Sequence, residues 1–119
     1  TTFAGLYECS KDRNNEGPFR LPKRWEKKRS VLNPNTPYNF VTTHDIIGGN
    51  SGSPVVNRDG QVVGLIFDGN IQSLIFNIAY EEEQARSVSV DSRAIIEAMR
   101  KVYDCAPLAD EIENSKRAR

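Results

Sequence analysis

The sequence predicts a mainly β fold, in which an antiparallel sheet carries one α-helix at its C-terminal end. The first sign is a β-branched and aromatic segment at residues 38–43, a composition typical of strands. The second is an Asp59-Gly60 dipeptide between two apolar segments, one of the strongest sequence signals of a β-hairpin. A helical apolar pattern then follows Asp91. Strands followed by a single helix favour a helix docked on an antiparallel sheet.

Composition and charge narrow the class of protein further. The chain has 119 residues and a mass of 13.4 kDa, which is enough for one domain or for part of one. Its 16 basic and 16 acidic residues cancel, so no overall field attracts nucleic acid or an anionic membrane. No apolar run is long enough to span a membrane. The chain opens at Thr1 without a methionine or an apolar leader, which suggests a processed or truncated chain.

The cysteines and the histidine predict no metal and no cofactor. A zinc site needs clustered ligands, and one histidine with the two distant cysteines, Cys9 and Cys105, cannot supply four. The two thiols could form a disulfide in an oxidising compartment or remain unrelated. The sequence leaves both states open.

Residues 1–37 are predicted to form an irregular N-terminal segment that could contain a short helix. Turn-forming residues punctuate its first part, namely Asn14, Asn15, Gly17, Pro18 and Pro22. Residues 23–32 place Trp25, Arg29 and Leu32 at helical spacing. The lysines and arginines there are interpreted as a solvated helix face, because the local excess is small and no other aromatic residues interleave with them.

Residues 38–106 are predicted to hold the sheet and the helix that closes it. In the hairpin, residues 55–57 and 61–67 pair across the Arg58-Asp59-Gly60 turn. Another extended segment is expected within residues 73–79. Residues 86–90 alternate, with valines on one face and serines on the other, which predicts a further strand.

The C-terminal helix is predicted to begin at Asp91 or Ser92, either of which can cap it. Its apolar residues form one stripe that is expected to pack on the sheet: Ile95, Ile96, Met99, Val102 and Tyr103. Pro107 marks the predicted end of the helix, and residues 107–119 are predicted to be a flexible tail.

The loop before the hairpin carries the residues most suited to chemistry. It reads Gly48-Gly49-Asn50-Ser51-Gly52-Ser53-Pro54. A serine that attacks a carbonyl group needs an exposed hydroxyl and backbone N–H groups that stabilise the resulting oxyanion. Here Gly49 can donate its N–H beside that of Ser51, and Gly52 lets the chain turn away behind the serine. An ordinary turn rich in glycine and serine is the alternative that these residues alone leave open.

A family resemblance gives this loop a specific function. Residues 49–54, Gly-Asn-Ser-Gly-Ser-Pro, resemble the active-serine motif of chymotrypsin-clan peptidases, Gly-Asp-Ser-Gly-Gly-Pro. Together with residues 64–70, Gly-Leu-Ile-Phe-Asp-Gly-Asn, and with residues 1–8 and 88–93, they resemble the bacterial dipeptidyl-peptidases seven and eleven. These are serine exopeptidases that release dipeptides from the N-termini of peptides. The resemblance implies a chymotrypsin-like antiparallel β-barrel, here the C-terminal barrel of a double-barrel enzyme.

The resemblance also implies a role for each residue of the site. Ser51 would be the nucleophile, and the N–H groups of Gly49 and Ser51 would form the oxyanion hole. Asp68 would bind the free N-terminal ammonium of the substrate, with Phe67 among the substrate-binding residues. Gly69 lies where the acid-specific members carry an arginine in their specificity pocket, so a hydrophobic or broad preference is expected rather than an acidic one.

The catalytic base is missing from the sequence. In the family, the catalytic histidine and aspartate lie in the N-terminal barrel, which this sequence does not match. The sole histidine, His44, and its neighbour Asp45 are interpreted as surface or pocket-wall residues. A serine hydroxyl without a base is a poor nucleophile near neutral pH. The 119-residue chain alone is therefore predicted to lack peptidase activity.

Partners and location follow from the same resemblance. The expected partners are peptide substrates and the missing N-terminal barrel and helical domain, with no nucleic acid and no membrane span. The family implies the periplasm, or the cell surface or secretion, of a Gram-negative bacterium. Exposed strand edges predict self-association into a homo-oligomer. Two other functions stay open, a fragment of another trypsin-like endopeptidase and a non-catalytic barrel domain.

Overall fold

The strands and most of the helices belong to different units of the chain. The computed structural model describes residues 1–77 and 83–114. One unit comprises Thr1–Thr36 with Ala94–Arg119, and the other comprises Pro37–Arg93. The sheet and the serine loop lie in the second unit.

Four antiparallel strands form the sheet: β1 at Asn39–Thr42, β2 at Pro54–Val56, β3 at Val62–Gly69 and β4 at Ser87–Asp91. Their order across the sheet is β1-β4-β3-β2. Four of the five predicted extended segments are confirmed as strands, with their antiparallel arrangement and with the hairpin of β2 and β3. Among the described residues, β1 and β2 each pair with one neighbour, so the strands form an open sheet.

The side chain of Asn57 closes the hairpin turn. Its Oδ1 accepts hydrogen bonds from the N–H groups of Asp59 and Gln61, both at 3.0 Å. Gly60 has a φ of +76°, a left-handed conformation that costs glycine little. The Asp-Gly signal in the sequence therefore marks the turn correctly.

Small and polar residues are buried at the centre of the sheet. One face of β4 buries Ser87, Ser89 and Asp91. The ring of Phe40 from β1 reaches Gly64 of β3, where an added Cβ would lie 2.7 Å from Phe40 Cε1. The same Cβ would lie 2.6 Å from the Val90 carbonyl oxygen, so a side chain at position 64 would clash with the backbone of β4 as well as with the ring.

Asp91 ends the sheet and begins the next helix, as the sequence predicts. Its Oδ1 accepts hydrogen bonds from the Arg93 backbone N–H and Nε, both at 2.9 Å, which is the contact of a helix cap. Burial raises the pKa of the Asp91 carboxyl, but hydrogen bonds from Arg93 outweigh it and leave that pKa below its ordinary value. The carboxylate therefore stays charged while it holds the first turn of the helix.

The described residues include four α-helices, labelled in chain order: α1 at Phe3–Asp12, α2 at Lys23–Lys28, α3 at Ser92–Lys101 and α4 at Ala106–Asn114. The helix that follows Asp91 is α3. Helix α3 is present as predicted, but its buried face differs. The buried positions are four residues apart: Ala94, Ala98 and Val102. The rest of the predicted stripe is partly or largely exposed: Ile95, Ile96, Met99 and Tyr103. The predicted stripe included only large apolar residues. The buried face also contains alanines, because small side chains let a helix pack closely against its neighbours.

Helix α1 corrects the prediction that the first part of residues 1–37 is irregular. Thr2 caps this helix, since its Oγ1 accepts the Gly5 N–H at 3.4 Å. Phe3 and Tyr7, four residues apart, are buried on one face. The cap and this spacing are the signals that the prediction missed, because Gly5 and the turn residues after the helix obscure them.

Helix α2 confirms the short helix predicted from Lys23 onward, and a 3-10 turn at Arg29–Val31 continues it. Trp25 Nε1 donates a hydrogen bond to Tyr103 Oη at 3.0 Å. The Trp25 ring also lies 5.9 Å from the Phe3 ring, measured between centroids. These contacts give the tryptophan a packing role.

Helix α4 occupies most of the segment that was predicted to be a flexible tail. Pro107 lies in its first turn, where the missing N–H of a proline costs no helical hydrogen bond. The guanidinium of Arg100 pairs with the carboxylates of Asp110 and Glu113. The proline therefore begins a helix instead of ending one, and residues 115–119 lie outside the described residues.

A 3-10 helix at Ile71–Asn77 replaces the extended segment predicted within residues 73–79. Residues 78 and 79 lie outside the described residues. Asn70 Oδ1 accepts the Ser73 N–H at 3.1 Å, and the Ser73 hydroxyl donates to the Asn70 carbonyl at 2.6 Å. Such local bonds from asparagine and serine compete with a sheet ladder, which is why the apolar residues around them do not form a strand.

Both cysteines are free: the thiols of Cys9 and Cys105 are exposed and unbridged. Across residues 1–77 and 83–114, no helix has the length and apolar character needed to cross a membrane. In the same ranges, no three side chains of the His, Cys, Asp or Glu type are grouped as metal ligands would be.

Phe3 is expected to contribute strongly to the stability of the first unit, which comprises Thr1–Thr36 and Ala94–Arg119. Its side chain is fully buried, and a Phe3→Ala cavity should cost about 3–5 kcal/mol of unfolding free energy. Urea unfolding of the two proteins measures this difference. The matched control is Leu108→Ala, because Leu108 is half-exposed on α4 and its loss should cost about 0.5 kcal/mol. Equal losses for the two variants would contradict a core position for Phe3.

Candidate active site

Two glycines and one asparagine give the loop between β1 and β2 its shape. Gly49 and Gly52 have φ values of +102° and +87°, which a β-carbon would strain. Asn50 folds the loop, since its Oδ1 accepts the Ile47 N–H at 2.9 Å and its own N–H donates to the Ile47 carbonyl at 3.2 Å. The glycine-flanked sequence therefore forms a defined turn around Ser51.

The backbone N–H groups of this loop are of two kinds. Three of them donate to carbonyl oxygens of the same unit, those of Asn50, Gly52 and Ser53. The N–H groups of Gly48, Gly49 and Ser51 have no acceptor within residues 1–77 and 83–114. The amides of Gly49 and Ser51 are the two that are predicted to form an oxyanion hole.

The hydroxyl of Ser51 is exposed beside β3. Ser51 Oγ donates to the carbonyl oxygen of Phe67 at 3.4 Å. The Gly52 N–H donates to the Ile66 carbonyl at 2.7 Å, and the Ile66 N–H donates to the Ser53 carbonyl at 3.0 Å. These two bonds fasten the serine loop to the strand that carries Asp68.

A cavity of about 190 Å³ opens beside Ser51. Its walls come from the loop, the end of β3 and the 3-10 helix that follows: Ile46, Ile47, Gly48, Asn50, Ser51, Ile66, Phe67, Asp68, Gly69, Ser73 and Leu74. The structure therefore brings together Ser51, Phe67, Asp68 and Gly69, whereas Gly49 belongs to the loop but not to the cavity wall. Of the described wall residues, Asp68 alone is charged.

A β-bulge lies where β3 borders the cavity. Successive residues of a regular strand point to opposite faces of the sheet. The pairing of β3 with β4 shifts register between Ile66 and Asp68, and such a shift re-aims the side chains beside it. The bulge therefore interrupts the regular alternation at Phe67 and Asp68, both of which line the cavity.

Asp68 supplies the negative charge of the site. Its Oδ1 accepts the Gly69 N–H at 2.8 Å. Its Oδ2 has no partner in the part of the chain that the structure describes. Because a carboxylate has about four acceptor positions, this exposed group keeps capacity for a cationic ligand.

His44 and Asp45 lie outside the cavity wall. Nδ1 of His44 is 2.9 Å from Oγ1 of Thr42, and the same Thr42 oxygen is 2.8 Å from Ser87 Oγ. Both His44 and Asp45 are exposed. Within the described residues, no histidine ring is hydrogen-bonded to Ser51.

Part of the cavity wall was not predicted from the sequence. Ser73 and Leu74 come from the 3-10 helix, and Ile46 and Ile47 precede the serine loop. An asparagine followed three residues later by a serine, as at Asn70 and Ser73, is a turn signature that could have located the first pair. The two isoleucines carry no such signal, because a short apolar pair is equally typical of a strand.

Comparison with known proteins identifies the family. A family model of Peptidase S46 matches residues 1–114, and the chain belongs to the peptidase S46 family. It is 37% identical over 118 residues to Dipeptidyl-peptidase 7 of Phocaeicola vulgatus, covering 94% of this chain and 16% of that protein. It is also 41% identical over 76 residues to the Asp/Glu-specific dipeptidyl-peptidase of Porphyromonas gingivalis, covering 64% of this chain and 11% of that protein.

Solved structures share the fold. The crystal structure of Porphyromonas endodontalis DPP11 in complex with the dipeptide Arg-Asp matches with a TM-score of 0.75 and 30% identity, covering 95% of this chain and 17% of that one. Another crystal structure of the same protein matches with a TM-score of 0.77 and 29% identity, with the same coverage of 95% and 17%. The family resemblance in the sequence is thereby confirmed, and the chain spans about one-sixth of the length of these relatives.

Proposed function

We propose that this chain is the C-terminal, nucleophile-bearing part of a serine dipeptidyl-peptidase of the chymotrypsin type. One observation carries the proposal: an exposed Ser51 hydroxyl lies in a loop where the N–H groups of Gly49 and Ser51 have no acceptor in the described chain. Unfilled amides beside an exposed nucleophile are what an oxyanion hole requires. The names of the matched relatives, dipeptidyl-peptidases, support this class of reaction.

In the proposed reaction, Ser51 Oγ attacks the carbonyl carbon of the second residue of a peptide. The hydroxyl proton passes to a histidine supplied by the rest of the parent enzyme, and the Gly49 and Ser51 amides stabilise the oxyanion that forms. The carbon–nitrogen bond then breaks as the histidine returns the proton to the leaving amine. Water hydrolyses the dipeptidyl ester and regenerates the serine.

The proposed parent completes the barrel with further chain. Open edges on β1 and β2 among the described strands support this, as do the exposed side chains Val41 and Val56 on those strands. An enzyme with a second barrel and a helical domain would cover such surfaces, and their exposure in this chain alone favours self-association. The location implied by the family, the periplasm or the cell surface, belongs to the same proposal.

Labelling and cleavage tests on the full-length enzyme separate this proposal from the alternatives. A fluorophosphonate probe should label Ser51, and an unlabelled serine would indicate a non-catalytic domain. An exopeptidase should cleave a peptide with a free N-terminus and reject the same peptide after acetylation. Equal cleavage of both peptides would indicate an endopeptidase instead.

Asp68 is proposed to bind the N-terminal ammonium of the substrate. Its Oδ2 has no partner in the described chain, and its side chain lies on the same cavity as Ser51. A carboxylate suits this task, because a cation removed from water needs a charged acceptor. A fixed acceptor near the nucleophile would also set the cleavage point two residues from the N-terminus of the substrate.

Asp68→Asn in the full-length enzyme is expected to lower kcat/KM for dipeptidyl substrates by about 10- to 100-fold. This range corresponds to about 1.5–3 kcal/mol for a hydrogen bond to a charged group. The measurement is the rate of release of a fluorogenic amine. Asp59→Asn, at the exposed hairpin turn, is the matched control and should leave kcat/KM unchanged. A variant that still rejects acetylated substrates as strongly as the wild type would contradict this role of Asp68.

The proposed preference at the second substrate residue is hydrophobic or broad. Gly69 contributes no side chain, and the described cavity wall holds isoleucines, Leu74 and no cation. The described wall offers no positive group to pair with an acidic substrate side chain, and Asp68 is assigned to the substrate ammonium. A neutral side chain needs no such partner and gains apolar contacts.

A further inference from the structure

Ser73 occupies the space that a side chain at position 69 would need. A Cβ built on Gly69 would lie 2.0 Å from Ser73 Oγ and 2.8 Å from Ser73 Cβ. Both distances are shorter than real Cβ contacts. Rotation of the Ser73 side chain would relieve the first clash but not the second. Residues 69 and 73 therefore cannot both carry side chains unless the 3-10 helix at Ile71–Asn77 moves.

Asn70 fixes Ser73 in this position. The Ser73 hydroxyl donates to the Asn70 carbonyl at 2.6 Å, and the Ser73 N–H donates to Asn70 Oδ1 at 3.1 Å. Asn70 is itself anchored to the segment before β4: its Nδ2 donates to the Gln84 carbonyl at 2.7 Å, and its Oδ1 accepts the Arg86 N–H at 2.8 Å. Ser73 cannot withdraw from Gly69 without breaking bonds of this anchor.

We propose that Ser73 is a specificity-determining residue, which closes the cavity behind Gly69 and limits the size of the second substrate residue. The inference rests on the proposed function, in which the cavity beside Ser51 receives that side chain. Ser73 and Leu74 form the wall that the 3-10 helix contributes. Because the Ser73 hydroxyl donates its hydrogen bond to the Asn70 carbonyl, it can accept a hydrogen bond from a substrate but cannot donate one.

The first test measures substrate preference in the full-length enzyme. Ser73→Gly is compared with the wild type on fluorogenic dipeptidyl substrates whose second residue is alanine, leucine, phenylalanine or aspartate. The ratio of kcat/KM for phenylalanine to that for alanine should rise about 10-fold or more, since one methylene in a pocket is worth about 10- to 200-fold. An unchanged ratio would overturn the role of Ser73. Failure of the wild type to cleave any of these substrates would overturn the proposed function instead.

The second test measures packing and does not need activity. Thermal unfolding of the full-length protein is compared for Gly69→Ala, Ser73→Gly and the double variant. Gly69→Ala should lower Tm, and adding Ser73→Gly should restore most of the loss, because residues in contact show non-additive effects. Ser73→Ala, which keeps the Cβ that lies 2.8 Å away, should restore less.

Gly5→Ala is the matched control for the packing test, since its Cβ would meet nothing nearer than 3.7 Å. It should not lower Tm, and Ser73→Gly should have the same effect with or without it. Additive changes in Tm for Gly69→Ala and Ser73→Gly would overturn the inference that these two positions compete for one space.

Discussion

Replacing Ser51 by alanine in the full-length enzyme is expected to lower kcat by about a million-fold. The substitution removes the atom that would form the dipeptidyl ester, so the covalent route is lost. The N–H groups of Gly49 and Ser51 remain in place, because the loop is held by Asn50 and by the bond from Gly52 to Ile66. Residual hydrolysis of about a thousand-fold over water is then expected from the oxyanion hole and from substrate binding.

Release of a fluorogenic amine under saturating substrate measures this loss. Ser53→Ala is the matched control, because Ser53 lies in the same loop and its bonds there come from its backbone N–H and carbonyl. It should retain activity within a few-fold of the wild type. A Ser51→Ala enzyme with undiminished turnover would refute the assignment of the nucleophile.

The 119-residue chain alone is expected to release dipeptides no faster than the Ser51→Ala enzyme. The Ser51 hydroxyl donates to the Phe67 carbonyl, and a backbone carbonyl accepts a hydrogen bond but cannot take up a proton near neutral pH. The ring of His44 contacts Thr42 Oγ1. Neither group can therefore activate the serine as a base would.

An equimolar comparison of this chain with the full-length enzyme, on one fluorogenic substrate, tests the expectation. Turnover by the isolated chain that disappears in Ser51→Ala would refute it. His44→Ala in the isolated chain provides a second comparison. If turnover were found and then lost on this substitution, His44 would be identified as a base.

The features that could be predicted from the sequence have local determinants. The hairpin depends on Asp59-Gly60 and on the side chain of Asn57 beside them. The turn of the serine loop depends on Gly49 and Gly52, which adopt positive φ values at little cost. In both cases a few consecutive residues favour the turn, so the sequence was sufficient to predict it.

The features that could not be predicted depend on distant partners. The cavity wall at Ser73 is set by Asn70, whose side chain is held by Arg86, 16 positions further along the chain. The inward face of α3 consists of alanines, which become core residues only through what packs against them. The bulge at Phe67 exists only in the pairing of β3 with β4. Periodicity in one segment carries no information on such contacts.

Two independent sets of hydrogen bonds support the cavity, and this division has an evolutionary consequence. Asn50 and Ile66 hold the serine loop, whereas Asn70, Gln84 and Arg86 hold the wall at Ser73. Substitutions can accumulate in one set without disturbing the geometry of the other. Related enzymes can therefore differ in the substrate residue after which they cleave and still share the same reaction chemistry.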